Sequence, residues 1–308
     1  MKDILFLKGK FFEKIWGGDN LKKEFGYDLP SNKTGEYWAV SGMKNNESII
    51  TNFNNINLNK FYKDNPGLFG DEKADTFPLL VKLLDANDDL SIQIHPDDKL
   101  ANELENSSGK TECWYILGNK ESSIIYGHNE KSLSVLKEKI KNGQWNNLFK
   151  EVKTNKDDFF YVPSGTIHAI KAGNIILEIQ QSSDVTYRLY DYDRKDDKGN
   201  LRELHIDKSL KAIDIDPKLY PKMHAQKTGN LIDEKYFGID YVKVCDTQKL
   251  IQDKKYKICC VIEGSGSVTT SETNKIKKGD FFILLNNVSN YTYNGNLKII
   301  EAYSNEVL

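Results

Sequence analysis

Asp158-Phe159-Phe160-Tyr161-Val162, followed on to Gly173, lies without a gap on Asp280-Phe281-Phe282-Ile283-Leu284, followed on to Gly295. Each run is short, apolar and aromatic, as a buried strand requires. A second stretch repeats the relation, with Glu112-Cys113-Trp114-Tyr115-Ile116-Leu117-Gly118 lying on Ile258-Cys259-Cys260-Val261-Ile262-Glu263-Gly264. Likeness at two places in the same order is the mark of a repeated unit. Two related β-barrels in one chain account for it; chance likeness between two strand–turn–strand units is the alternative. The predicted division is a larger domain over 1–225 and a smaller β-barrel over 226–308. The second copy is shorter because it lacks the segment Leu133–Val152. The copies part where chemistry would sit, since Glu112 falls on Ile258 and His168 on Asn290. If the first barrel holds a metal, the second has lost those ligands.

Working outward, breaks at Gly17-Gly18, Asn65-Pro66-Gly67, Pro163-Ser164-Gly165 and Gly264-Ser265-Gly266 separate further apolar segments. Leu80–Leu84, Leu90–Ile94, Cys113–Leu117, Ile175–Ile179, Ile258–Ile262 and Leu297–Ala302 read as strands alongside Phe159–Val162 and Phe281–Leu285. Helical signals are few. Asp97–Glu105 follows a proline, Leu133–Val152 has loosely helical apolar spacing around Gly143, and Ile206–Ile215 offers Asp207 as an N-cap. The fold class is therefore mostly β with a few short helices, favouring a sandwich or barrel over a doubly wound sheet.

The 308 residues suit about two domains, and 39% hydrophobic with 29% charged residues is normal for a globular protein with a real core. A formal charge of −2, with acids and bases interspersed, gives no footprint for nucleic acid. Any grip on a phosphate must come from a few placed side chains. The N-terminus is too interrupted by charge for a signal peptide, and there is no apolar run of ~20 residues to span a membrane. Cys113, Cys245, Cys259 and Cys260 have no zinc-finger spacing. Adjacent residues of a strand face opposite ways, so Cys259 and Cys260 are poorly placed for a bridge, and reduced thiols in a cytoplasmic protein are expected.

The chemistry-bearing residues begin with Ser91-Ile92-Gln93-Ile94-His95-Pro96, which reads as the end of a strand. Gln93 and His95 stand two apart, so alternation turns both to one face. With Glu112 from the next strand and His168 beyond the Pro163-Ser164-Gly165 turn, the set offers two imidazoles, a carboxylate and an amide oxygen. Two histidines and a carboxylate form a common ligand set for a divalent metal with open positions. Farther on, Glu178-Ile179-Gln180-Gln181-Ser182-Ser183-Asp184-Val185-Thr186-Tyr187-Arg188-Leu189-Tyr190-Asp191-Tyr192-Asp193-Arg194 starts as an apolar strand and becomes densely polar. A solvated sheet edge is one reading. The other is a grip on an anionic ligand by Arg188 and Arg194, held among tyrosines and aspartates.

Trp16-Gly17-Gly18, Gly35-Glu36-Tyr37-Trp38, Phe77–Lys82, Leu90–Pro96, Gly109-Lys110-Thr111-Glu112, Val162–Ala169 and Glu178–Arg194 resemble, in order, the type I phosphomannose isomerase family. The likeness covers roughly the first two-thirds of the chain and is closest to the short bacterial branch of that family within the cupin superfamily. It implies a double cupin, two jelly-roll-like barrels, acting as a mannose-6-phosphate isomerase on a small sugar phosphate. It also implies one Zn²⁺ per chain on Gln93, His95, Glu112 and His168. The family's active-site arginine falls on Arg188 and a further basic residue on Arg194. Lys110, Ser91, Glu178 and Asp184 match pocket positions. Members with a longer chain insert a helical domain between the Glu112 and His168 strands where this chain has one short helix.

Moving a proton between C2 and C1 of a sugar develops negative charge on oxygen, which a cation and a guanidinium can stabilise. The metal is accordingly placed at the O1/O2 end with Arg188 beside it, and Lys110 and Arg194 serve the phosphate or orientation. Glu178 and Lys110 rank together as proton carriers. Trp16, Glu36 and Trp38 are candidates for pocket lining, with core packing as the alternative. His128, His205 and His224 are assigned surface or structural roles. The rival functions are a cupin oxygenase with non-haem iron, a non-catalytic sugar-binding bicupin, and an isomerase preferring glucose 6-phosphate. Oligomeric state is not readable.

Overall fold

The computed structural model describes residues 3–72, 74–196 and 198–305. The chain divides into two compact units, one of Met1–Lys10, Tyr37–Lys82 and Met223–Leu308, the other of Phe11–Glu36 and Leu83–Lys222. The last boundary lies between Lys222 and Met223. The N-terminal third, however, is shared between the units, and strand pairing is the reason. Ile4–Lys8 hydrogen-bonds antiparallel to Phe281–Leu284, so residues far from the C-terminus in sequence complete its sheet.

That sheet runs Gly229–Asp233, Phe237–Ile251, Asn290–Ser304, Lys257–Thr269, Phe281–Leu284, Ile4–Lys8, Ile49–Ile50, Ile56–Asn57, with Thr273–Lys277 branching off Lys257–Thr269. One face closes on a core of Val242, Val244, Cys259, Val261, Phe282, Leu284, Tyr291, Tyr293, Leu297 and Ile299. Alternate residues of each strand supply it, as the period of two demands.

The other unit has a five-stranded sheet in the order Phe149–Lys153, Ser123–His128, His168–Ile170, Ile92–Ile94, Tyr187–Tyr190. Facing strands Asp158–Val162, Glu112–Asn119 and Asn174–Gln181 pair antiparallel beside one another. Ile124, Tyr126 and Ile170 join Trp114, Ile116, Phe160, Val162 and Ile176 in the inner core. Ile92, Ile94, Ile125 and Ala169 turn the other way, under Leu136, Ile140, Leu210 and Ile213 of the helical layer. The consequence for function is direct. Gln93 lies between two outward isoleucines and His168 beside outward Ala169, so both point inward.

The helices sit where the sequence puts them, with corrections. Asp98–Glu105 is capped by Asp97, whose carboxylate accepts from Leu100 N at 2.8 Å. The helix from Leu133 stops at Lys141, and Phe149–Lys153 is a strand. Gly143, in the left-handed region at φ 63°, marks the break. The last helix is Ile206–Ala212; Asp207 lies in its first turn and His205 occupies the N-cap. Helices Asn20–Phe25 and Leu58–Asp64 and the long strand Phe237–Ile251 carry no clear sequence signal, while Lys257–Thr269 and Asn290–Ser304 run well beyond the expected Ile258–Ile262 and Leu297–Ala302.

The internal echo survives with a one-residue shift in one arm. Phe160 pairs with Trp114, while Phe282 pairs with Cys259, so Trp114 corresponds to Cys259. Glu112 then falls on Lys257, not on Ile258. Glu178 pairs with Trp114 as Glu301 pairs with Cys259, so Glu178 falls on Glu301. In the C-terminal unit these two positions form a buried ion pair, Lys257 Nζ to Glu301 Oε2 at 3.0 Å. Tyr291 and Tyr293 hydroxyls donate to the same carboxylate at 2.9 Å.

Candidate active site

Three strands carry the predicted ligands, Ile92–Ile94, Glu112–Asn119 and His168–Ile170. His168 stands directly across from Gln93, and Gln93 across from Arg188. Glu112 is flanked by Val162 and Gln180 on its two neighbouring strands. His95 follows the last residue of its strand, and its carbonyl accepts from Gly165 N at 2.8 Å. Gly165 has φ +84°, and a Cβ there would lie 2.9 Å from Asp214 Cβ, so only glycine makes this turn easily.

His95, Glu112 and His168 converge. Their ligand atoms lie within 4.8 Å of one another, and among the described residues this is the group with metal-ligand spacing. Glu112 Oε2 is 3.4 Å from His95 Nε2, and Oε1 is 3.4 Å from His168 Nε2. Each imidazole is oriented from behind, with Nδ1 at 2.9 Å from a backbone carbonyl: Val185 for His95, Thr166 for His168. A carbonyl only accepts, so both Nδ1 atoms carry the hydrogen and both Nε2 atoms present lone pairs. Those two nitrogens are 3.2 Å apart. Lone pairs facing each other beside a carboxylate repel unless a cation joins them.

Burial keeps the set in metal-ready protonation states. Burial first, and then the charge of Lys110, push the His95 imidazolium down to about 3. Burial likewise lowers His168. Burial alone would raise Glu112, but the Lys110 ammonium outweighs it and holds the carboxylate well below its usual range. Neither oxygen of this wholly buried carboxylate receives a well-aligned hydrogen bond. A buried carboxylate without a well-aligned hydrogen bond, set between two unprotonated imidazoles, fits a divalent metal. The Gln93 amide lies 3.4 Å from His168 Nε2. Its nitrogen and oxygen are interchangeable by a flip, and facing a cation the oxygen would point inward.

Lys110 is buried against this set, Nζ at 3.0 Å from Glu112 Oε2 and 4.0 Å from Glu178 Oε1. Burial would lower its pKa, yet Glu112 and Glu178 raise it, so the group is an ammonium. Its loop is braced. Gly109 N donates to Asp98 Oδ1 at 2.9 Å, Gln181 Nε2 donates to the same oxygen at 3.0 Å, and Thr111 N donates to Gln181 Oε1 at 2.9 Å. Glu178 accepts from Trp114 Nε1 at 3.0 Å. Ser91 Oγ lies 3.4 Å from Gln93 Oε1, and exposed Asp184 adds negative charge near Lys110.

The arginines gather separately. Arg188 donates from Nη1 to Glu203 O at 2.7 Å, and its backbone is clamped to His205 by bonds of 3.1 and 2.7 Å. Arg194 Nη2 donates to Asp191 Oδ1 at 2.6 Å. Arg202, which sequence reading did not single out, donates from Nε to Asp191 Oδ2 at 2.7 Å. Burial, then Arg202, lowers Arg188, a sign that guanidiniums crowd one anion, Asp191. The only sequence hint was a polar turn at Gly199-Asn200, which folds Leu201 back on Lys195 and so returns Arg202 to Asp191.

Among the other candidates, Trp16 packs in the inner core with Leu84 and Trp114. Trp38 is buried with the Lys82 ammonium 5.0 Å from its ring, and Glu36 pairs with Lys14 at 3.2 Å. His205 is structural, as its clamp on Arg188 indicates, and His224 is exposed. The four cysteines are free. No described helix is long and apolar enough to cross a membrane.

Comparison with known proteins identifies the family. Residues 4–125 match the family model described as phosphomannose isomerase type I, catalytic domain, and residues 227–304 match that of the mannose-6-phosphate isomerase cupin domain. Mannose-6-phosphate isomerase of Streptococcus mutans is 43% identical over 99% of this chain and 100% of its own length. Mannose-6-phosphate isomerase ManA of Bacillus subtilis is also 43% identical, over 97% of this chain and 98% of that protein. The crystal structure of the mannose 6-phosphate isomerase from Bacillus subtilis superposes with a TM-score of 0.89 at 39% identity, covering 98% of this chain and 100% of the other. The expected double-cupin fold stands, and the chain belongs to the type I phosphomannose isomerase family.

Proposed function

We propose that the chain interconverts D-mannose 6-phosphate and D-fructose 6-phosphate, with one zinc ion held by Gln93, His95, Glu112 and His168. The observation that carries this is the pair of proton-free Nε2 atoms 3.2 Å apart over the buried Glu112 carboxylate. A divalent cation bound there supplies Lewis-acid stabilisation of negative charge on a substrate oxygen.

The chain's own residues supply the rest. Lys110 holds its proton, so it has no lone pair with which to take another; Glu178 is the base. Its carboxylate removes the C2 proton of the open-chain aldose as the C1=C2 double bond forms and charge moves to the carbonyl oxygen. The same group returns the proton to C1 while the proton of the C2 hydroxyl passes to the charged oxygen on C1, leaving the ketose. The Lys110 ammonium stands beside Glu178 and Glu112 and donates towards the oxygen that gains charge. Arg188, across the strand pair from Gln93, stands beside the oxygen that gains charge, while Arg194 and Arg202 take the phosphate end, exchanging Asp191 contacts for phosphate oxygens. Ser91 steadies Gln93, and Asp184 orients the substrate from the loop after Gln181.

The test compares turnover of mannose 6-phosphate and glucose 6-phosphate on protein of measured metal content. Isomerisation of the mannose substrate, abolished by a chelator and restored by Zn²⁺ without oxygen uptake, is expected. Zinc-loaded protein with no turnover, or oxygen consumption, would overturn the assignment.

A further inference from the structure

Trp114 touches both halves of the proposed chemistry. Its indole N–H donates to Glu178 Oε2 at 3.0 Å, and its ring stands edge-on to the His168 imidazole, centroids 5.4 Å apart and planes at 69°. Trp114 and Glu178 are direct cross-strand partners, and Trp114 is wholly buried in the inner core. The bond is therefore fixed at both ends by the sheet.

We propose that Trp114 is a positioning residue for proton transfer, its N–H pinning one oxygen of Glu178 so that the other is presented to the substrate carbon. This rests on reading Glu178 as the proton carrier. The two oxygens of a free carboxylate are equivalent, and its terminal torsion is broad and two-fold. Indole is a donor only, so it neither takes nor gives the transferred proton. Its N–H engages Oε2, and Oε1 lies on the side where Lys110 Nζ is 4.0 Å away. Alignment of base and carbon is then built into the strand register, in place before substrate arrives. In the C-terminal unit the corresponding pair is Cys259 and Glu301, where no indole stands and Glu301 is satisfied by Lys257 and two tyrosines. The arrangement thus belongs to the barrel with the metal ligands.

The test uses zinc-loaded full-length protein. Trp114→Phe keeps a ring in the core and removes the N–H; kcat is expected to fall about tenfold, with KM within about twofold and zinc content unchanged. Glu178→Asp draws the carboxylate back by a methylene and breaks the same bond, so adding Trp114→Phe to it should cost less than about twofold more. Equal losses in both backgrounds, or unchanged kcat in Trp114→Phe, would overturn the positioning role. Glu178→Gln with wild-type kcat would instead overturn the reading of Glu178 itself. The indole N–H proton resonance of Trp114 reads the bond without disturbing the ring. It should move upfield in Glu178→Gln, and a fixed position would sink the proposal.

Discussion

Replacing Glu112 by glutamine tests the centre at its most charged point. In the metal-free protein this carboxylate has one strong partner, Lys110 Nζ at 3.0 Å. At an effective dielectric of about 20 the attraction across that gap is about 5–6 kcal/mol. Glu178, at 4.0 Å, offers Lys110 about 4 kcal/mol on the same scale. Desolvation of the two ions offsets much of the first term, but removing one partner leaves a buried charge and costs ~3–5 kcal/mol. Glu112→Gln and Lys110→Met are each expected to lower the stability of chelator-stripped protein by ~3 kcal/mol, and the double variant by clearly less than both together. Urea unfolding of the four proteins measures this. Zinc titration calorimetry of Glu112→Gln should show affinity lower by ~3 kcal/mol, about a hundredfold or more. Additive stability losses together with wild-type zinc affinity would refute the account of Glu112 as both counter-ion and ligand.

His95→Ala and His168→Ala should each abolish stoichiometric zinc, read by elemental analysis, while Lys110→Met retains it. Stability of the metal-free protein should fall on acidification. His95 is depressed to about 3 and His168 is lowered, so the unfolded chain binds their protons first as pH drops below about 6.5. Each contributes a slope of ~1.4 kcal/mol per pH unit over its window, and a flat urea midpoint between pH 6.5 and 4.5 would contradict the buried neutral imidazoles. Arg202→Met should raise KM for the sugar phosphate about tenfold with little change in kcat, since it removes a charge-assisted contact at the phosphate end. Lys257→Met, which strands Glu301 in the C-terminal unit, should lower stability by ~3 kcal/mol and leave the zinc content of folded protein unchanged.

The amino-acid sequence by itself determined the β-rich repeat, the inward alternation of Gln93 with His95, and the ligand types at Glu112 and His168. These are local facts, set by strand periodicity and by the few side chains that bind divalent metals. Tertiary structure alone decided the rest. Placing Glu112 over Lys257 instead of Ile258 is a matter of register, which strand neighbours fix and single strands do not. The union of Ile4–Lys8 with Phe281–Leu284 depends on contacts across almost the whole chain. Lys110 at the metal end, Arg202 on Asp191 and the N–H of Trp114 on Glu178 are meetings of residues from different strands and loops. So are the carbonyls of Val185 and Thr166 that turn two lone pairs inward, because a tautomer is chosen by whatever the fold sets behind the ring.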